Sequence, residues 1–288
     1  MSLDQVTVAS VQFDPHIFDP GYNLEKIETL TRQAAREHGA QLVVFPEAAI
    51  TGYCFRSREE AGAAAVTEDG PELSRLLALC RQEQVSMAVG AVEQEGEAIY
   101  NTVFFLEPEG KVQSYRKSHL PYLGLDRFVT AGETSGGIFD TRFGRIGIIV
   151  CYELRFPEAA RIPALRGARL ILQPTNQPEG GDSHADFFTR ARACENRVYL
   201  VSCNRVGREG GFTFIGRSQI VDFNGAVLAE CGRTEEAIIA RTLDLTLCED
   251  KDIIGTPGER ELYLYRDRRW DLYRPLAQDP DGKGFLSD

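Results

Sequence analysis

The sequence predicts an α/β protein folded as a four-layer α-β-β-α sandwich, and three observations carry that prediction. Strand and helix patterns alternate in the first and third quarters of the chain, and strand patterns dominate the second and fourth. Each half therefore reads as a sheet with helices on one face, and two such sheets hide their bare faces by stacking on each other. The chain has 288 residues and is 43% hydrophobic, enough to bury a sizeable core without disulfides. No sequence repeat marks the two halves and no compositional break marks a linker. One domain over residues 1–265 is expected, followed by a tail over 266–288 that is too short to fold alone and could pack on the body or on a partner chain.

The elements follow in order. Residues 6–13 form an apolar strand. Residues 23–38 carry helical spacing through Leu24, Ile27, Leu30 and Ala34, with Gly39 as the stop. Residues 41–45 form a short apolar strand ending at Pro46-Glu47. A second amphipathic helix spans 73–83, and a strand spans 85–92. Strands over 100–106 and 111–115 flank Glu107-Pro108-Glu109-Gly110, a turn signature. A long irregular segment covers 117–135, and long loops in compact domains are often functional. A strand then runs into Cys151, followed by a helix over 156–166, a strand over 168–172, a helix over 183–196 and a strand over 198–203. Asn224-Gly225 is a strong hairpin turn between strands over 214–222 and 226–229, and 238–243 is the last clear strand.

Charge and cysteine usage exclude several functions. The net charge is −11 and the basic residues are scattered, which argues against nucleic acid or anionic membranes as partners. The seven cysteines have irregular spacing and no CxxC pair, and the four histidines are not spaced as metal ligands, so neither a disulfide framework nor a metal site is expected. A thiol-redox role would want a resolving cysteine nearby, and no CxxC supplies one. No apolar leader or membrane-length run is present, so a soluble cytoplasmic setting is expected.

Three reactive residue types stand at the exits of three strands: Glu47, Lys117 and Cys151. Strand ends are where α/β folds build their sites. Cys151 ends an apolar strand and precedes a helical pattern, so a helix dipole is expected to lower its pKa and favour the thiolate. A carboxylate can take a thiol proton and later activate water, and a fixed ammonium can hold an oxyanion.

Here the sequence resembles the nitrilase superfamily of carbon–nitrogen hydrolases. The stretch from Pro46 to Tyr53 is similar to the family's glutamate motif, Tyr115 to Leu120 to its lysine motif, and Cys151 to Glu158 to its cysteine motif. Residues 190–199 and 203–207 are also typical, and the likeness covers roughly residues 5–245. The resemblance implies the sandwich fold, a Glu47-Lys117-Cys151 triad, no metal or organic cofactor, and assembly as a homodimer or higher homo-oligomer. It implies attack by Cys151 on an amide carbonyl, proton transfers through Glu47, an oxyanion held by Lys117 and the backbone N–H of Tyr152, and a thioester hydrolysed by water.

Many family members carry a second glutamate several residues after the lysine. Here no carboxylate lies in 118–125, so Asp126 takes the role from a shorter reach, or Glu133 folds in. Tyr53 is expected to line the pocket or pack beside it, and Asn176, at another strand exit, to contact substrate. Arg155 and Glu158 read as bracing groups and His119 as structural. The pair after the cysteine is Tyr-Glu, whereas true nitrilases usually have Trp-Glu, so the amidase-like branches fit better. The expected reaction is hydrolysis of a small linear amide to ammonia and a carboxylate. Hydrolysis of N-carbamoyl amino acids or β-ureido acids is the alternative, with a nitrilase or a non-catalytic binding module behind it.

Overall fold

The computed structural model describes residues 5–277, which fall into two compact units divided after Glu249. The first unit holds two six-stranded sheets. In the first sheet, β1 (Gln5–Gln12) lies between β14 (Ala237–Asp244) and β2 (Leu42–Val44), and β3 (Ser86–Glu95), β4 (Ala98–Leu106) and β5 (Val112–Arg116) follow outward. In the second, β6 (Gly137–Thr141), β7 (Gly144–Ile148), β8 (Leu170–Pro174), β9 (Tyr199–Cys203), β12 (Gln219–Val221) and β13 (Val227–Glu230) lie in that order. A short hairpin of β10 (Arg208–Glu209) and β11 (Phe212–Thr213) stands between β9 and β12 in the chain.

Read from β14 and from β6, the two sheets pair in the same sequence: antiparallel, parallel, parallel, antiparallel, antiparallel. The repetition of halves is thus present in the pairing though absent from the residues. The parallel steps are crossed by helices: α1 (Pro20–His38) joins β1 to β2, and α3 (Pro71–Glu83) joins β2 to β3 after the short α2 (Arg58–Ala64). In the second half, α4 (Pro157–Leu165) joins β7 to β8, and α5 (Thr189–Asn196) joins β8 to β9. Parallel neighbours need such crossovers.

Alternation along each strand sorts the side chains. Val6, Val8, Leu42, Val44, Val103 and Phe105 face the second sheet, whose Ile146, Ile148, Leu170, Leu172 and Val201 meet them in one buried cluster. Ala9, Val11, Val43, Phe45, Met87 and Val89 face the other way and pack with Leu24 and Ile27 of α1 and Leu73 and Leu76 of α3. On the outer face of the second sheet, Gly147 lets α4 approach: a Cβ there would lie 2.9 Å from Pro163 Cβ. Full burial of each such aliphatic or phenyl side chain is worth roughly 1.5–3 kcal/mol, which offsets the burial of the charged groups described below.

The expected elements are present with shifted ends, and several others were missed, among them the short strands β10 and β11. The helix α2, the turn that makes β3 and β4 one hairpin, and the edge strand β6 were all read as irregular or left out. The strand expected over 214–222 is ordered only over Gln219–Val221, because Arg217 takes a left-handed conformation with φ of 58°. In the second unit, β15 (Asp252–Ile254) and β16 (Glu261–Tyr263) pair antiparallel, and two 3-10 turns, Trp270–Leu272 and Arg274–Ala277, follow. Of the expected tail, residues 266–277 belong to this unit and the rest lies outside the described residues. Among the described residues, no helix is long and apolar enough to cross a membrane.

Candidate active site

Glu47, Lys117 and Cys151 leave their strands on the same side of the inter-sheet core. Beyond β2 the chain turns sharply: Ala48 has a φ of 51°, and Ile50 N donates to Gly90 O at 3.1 Å. This turn lies so close on β3 that a Cβ at Gly90 would sit 2.3 Å from Ala48 N. Only glycine admits that approach. Lys117 extends β5 by one residue, its N–H donating to Asn101 O at 2.8 Å. Strand alternation then aims Lys117 to the same face as Tyr115, into the molecule. Cys151 follows β7 with a φ of 46°, a left-handed conformation that is strained for any residue but glycine.

The groups are fully buried and joined. Lys117 Nζ donates to Glu47 Oε1 at 2.8 Å and to Asp126 Oδ2 at 2.6 Å, with all three side chains inaccessible. Asn101 Nδ2 donates to Glu47 Oε1 at 2.7 Å and to Asp126 Oδ1 at 2.9 Å. Tyr53 OH adds a bond to Asp126 Oδ2 at 2.8 Å. Glu47 Oε2 is buried with no hydrogen-bond partner among the described residues. From the second half of the chain, Gln177 Nε2 lies 3.1 Å from Cys151 Sγ and 3.1 Å from Thr175 Oγ1. Asn176 Nδ2 holds Glu47 O at 2.9 Å, tying the second half of the chain to the first.

Two carboxylates share one ammonium here. Burial works against the Lys117 charge, but Asp126 and Glu47 together outweigh it, and its pKa stays well above the ordinary range. Burial pushes Glu47 up, and Asp126 adds to this, against the pull of Lys117 and Asn101. Cys151 is likewise pushed up, to about 12, by burial first and by the Glu47 charge second. The expected low-pKa thiolate is therefore corrected. Cys151 opens only a five-residue 3-10 turn, Cys151–Arg155, and α4 begins later at Pro157, so no long helix dipole offsets the desolvation. Burial thus favours the neutral form of both Cys151 and Glu47.

The other expected site residues are placed as follows. Asp126 joins the cluster, whereas the alternative Glu133 is exposed. Tyr53 is buried and commits its hydroxyl to Asp126 and Leu123 O, so it packs within the cluster instead of lining an open pocket. Asn176 braces the Glu47 backbone with its nitrogen, and its Oδ1 has no partner among the described residues. Tyr152 packs edge-on against Phe156. Arg155 lies over Phe188, Glu158 is exposed, and His119 stacks on Phe156. Among the described residues, no group of three or more His, Cys, Asp and Glu residues could hold a metal. Asn101 and Gln177 were not anticipated. The signal for Asn101 was an amide in the middle of an apolar strand, where burial demands partners.

Beside this cluster stands another buried carboxylate. Glu153 Oε1 accepts from Tyr115 OH and Ser118 Oγ at 2.7 Å each and from Ser118 N at 3.0 Å, and its Oε2 accepts from Val150 N at 2.8 Å. It ties the lysine-bearing segment to the cysteine-bearing turn.

Comparison with known proteins shows the family. The chain matches the Carbon-nitrogen hydrolase family over residues 7–251. It is 36% identical to a Pyrococcus abyssi protein named nitrilase, over 93% of this chain and 99% of that one. It is 33% identical to the N-carbamoylputrescine amidase of Solanum lycopersicum, over 94% of each. The crystal structure of an amidase from Nesterenkonia sp. superposes with a TM-score of 0.78 at 29% identity, covering 96% of this chain and 98% of that one. A mutant of the Nesterenkonia sp. AN1 amidase carries the acetamide moiety of fluoroacetamide covalently at its active site cysteine, with a TM-score of 0.78, 27% identity and the same coverage. This chain belongs to the carbon–nitrogen hydrolase family of the nitrilase superfamily and is a hydrolase of carbon–nitrogen bonds other than peptide bonds.

Proposed function

We propose that the chain hydrolyses a small linear amide through a thioester on Cys151, with Glu47 as the acid and base and Lys117 as the oxyanion cation. One observation carries the reading. Glu47 is fixed through Oε1 by Lys117 and Asn101, and its Oε2 is buried and has no partner among the described residues. A carboxylate held by one oxygen and idle at the other is ready to take a proton.

As the Cys151 sulfur bonds to the amide carbon, the thiol proton passes to Glu47 and the carbonyl oxygen takes the electron pair. Lys117 and the Tyr152 N–H hold that oxyanion. Gln177, which donates toward Sγ, stabilises the sulfur as it gains charge. The tetrahedral species collapses, the carbon–nitrogen bond breaks, and Glu47 returns the proton to the departing ammonia. Water, deprotonated by Glu47, then attacks the thioester, and the carboxylate leaves as the thiol re-forms. Asp126 holds Lys117 together with Glu47 and substitutes for the family's second glutamate.

A second reading has its own support: the similar N-carbamoylputrescine amidase, together with a citrullinase from Francisella tularensis at 28% identity, points to a ureido group as the amide. Ammonia release decides between them. The wild type and Cys151→Ala are given short aliphatic amides, ω-amides of dicarboxylates, N-carbamoyl compounds and nitriles. Release from linear amides by the wild type alone is expected. Release mainly from N-carbamoyl compounds selects the second reading, and release that persists in Cys151→Ala refutes the mechanism.

A further inference from the structure

We infer that the buried Arg205–Glu209 pair is a positioning device for the lysine site, acting through Tyr53 on Asp126. The inference rests on the proposed role of Lys117 and Asp126. Glu209 lies on β10, in the second half of the chain, yet its Oε1 accepts from the backbone N–H of Tyr53 at 2.8 Å and of Cys54 at 2.6 Å. Its Oε2 accepts from Arg205 Nη1 at 2.8 Å. Arg205 is itself 1% exposed, donates to Asp14 Oδ1 at 2.6 Å and Pro15 O at 2.8 Å, and lies 4.4 Å over the Phe214 ring.

The chain of contacts is continuous. Arg205 fixes Glu209, and Glu209 fixes the Tyr53 backbone. Tyr53 OH then holds Asp126 Oδ2, the oxygen that Lys117 Nζ meets at 2.6 Å. Two close approaches keep the pair seated. A Cβ at Gly210 would lie 2.4 Å from Cys54 Cβ, and one at Gly207 would lie 2.0 Å from Asp14 Oδ2. Both glycines have positive φ, 57° and 83°. The β10–β11 turn is thus pressed onto the segment just after the glutamate turn, where a displacement of Tyr53 moves Asp126 and, with it, the ammonium.

A buried ion pair that only supports the fold lowers stability when broken and has no preference for one downstream side chain. A pair that works through Tyr53 loses its effect on rate once the Tyr53 hydroxyl is gone. The test is a double-mutant cycle of Glu209→Gln and Tyr53→Phe. It reads kcat/KM for the amide turned over fastest in the panel above, normalised to folded protein, together with the melting temperature. Glu209→Gln is expected to lower kcat/KM about 10-fold in the wild type and less than about 2-fold in Tyr53→Phe, the coupling of residues acting as a unit. Its effect on melting temperature is expected to persist in both backgrounds. Equal rate losses in both backgrounds would overturn the positioning role alone. If no panel member shows turnover that depends on Cys151, the catalytic reading falls and this inference with it. Should Glu209→Gln fail to fold, Glu209→Asp keeps the charge opposite Arg205 but retracts the carboxylate from the Tyr53 and Cys54 N–H groups, and the same two outcomes decide.

Discussion

Glu47 and Glu153 are both fully buried, lie on the approaches to Cys151, and come from different halves of the chain. The Glu47 carboxylate receives two hydrogen bonds among the described residues, both at Oε1, and its Oε2 is left empty there. Glu153 has both oxygens engaged, by side chains and backbone of the lysine segment and the cysteine turn. Their pKa values move in opposite directions for that reason. Burial pushes both up, but at Glu153 the bonds from His119, Ser118, Tyr115 and Val150 win, and its carboxyl falls below the ordinary range. At Glu47 burial and the neighbouring Asp126 win. A buried carboxylate with every lone pair taken is a brace. One with an idle oxygen and a raised pKa can exchange a proton.

The strongest way to break this contrast is Glu47→Gln. It keeps the shape and the contact with Lys117 but removes the base. Turnover is expected to fall by about 10³-fold, the scale of lost general acid–base catalysis. Thermal melting is expected to hold, because a charge that burial disfavours has been removed. A rate within a few fold of wild type would assign the proton transfer elsewhere.

Glu153→Gln should do the reverse. Replacing a carboxylate that gathers several charge-assisted bonds is expected to destabilise the fold by about 3 kcal/mol, read from urea midpoints, while the folded fraction keeps most of its rate. The pH dependence separates the two further. The folded Glu153 pKa lies below the ordinary 4.5, so its stabilisation is complete above 4.5 and lost as pH falls through the folded value. The deficit of Glu153→Gln therefore shrinks in acid. The folded Glu47 pKa lies above 4.5, so its penalty is absent below 4.5 and grows as pH rises toward the folded value. Glu47→Gln therefore gains on wild type as pH rises. Parallel pH curves for the two variants would erase the distinction.

The sequence made one of these glutamates visible and not the other. Glu47 stood at a strand exit behind Pro46, with Lys117 and Cys151 at two more exits, so its role could be read from position. Glu153 sat two residues after Cys151 within the same motif, and nothing local says that its partners are Tyr115 and Ser118, some 35 residues away in sequence. Asn101 hid for the same reason: strand pairing in β4, which no short pattern specifies, sets it between Glu47 and Asp126. The two-sheet architecture was legible because alternation and crossovers follow from local periodicity. The thiolate expectation failed because it counted a dipole and not the desolvation, and burial is a property of the fold.

Asn101 tests the sparse side of the contrast. Asn101→Ala removes one of the two bonds that the Glu47 carboxylate receives among the described residues, and one to Asp126. Turnover is expected to fall about 30-fold, a loss of about 2 kcal/mol for a bond to a charged group. The melting temperature should fall as well, and by more than one lost bond would cost, because two bonds to buried carboxylates go together.

Ser118→Ala tests the crowded side and should have the smallest effect. It deletes the Ser118 Oγ bond to Glu153 Oε1 at 2.7 Å, while the Ser118 N–H, Tyr115 OH and Val150 N–H remain. A carboxylate with several donors loses little when one goes, so the expected cost is about 1 kcal/mol in stability, with turnover within about 2-fold of wild type. If Ser118→Ala instead slows turnover as much as Asn101→Ala does, Glu153 is not a passive brace. Its grip on the lysine segment would then itself set the rate, and the count of partners would no longer separate the two glutamates.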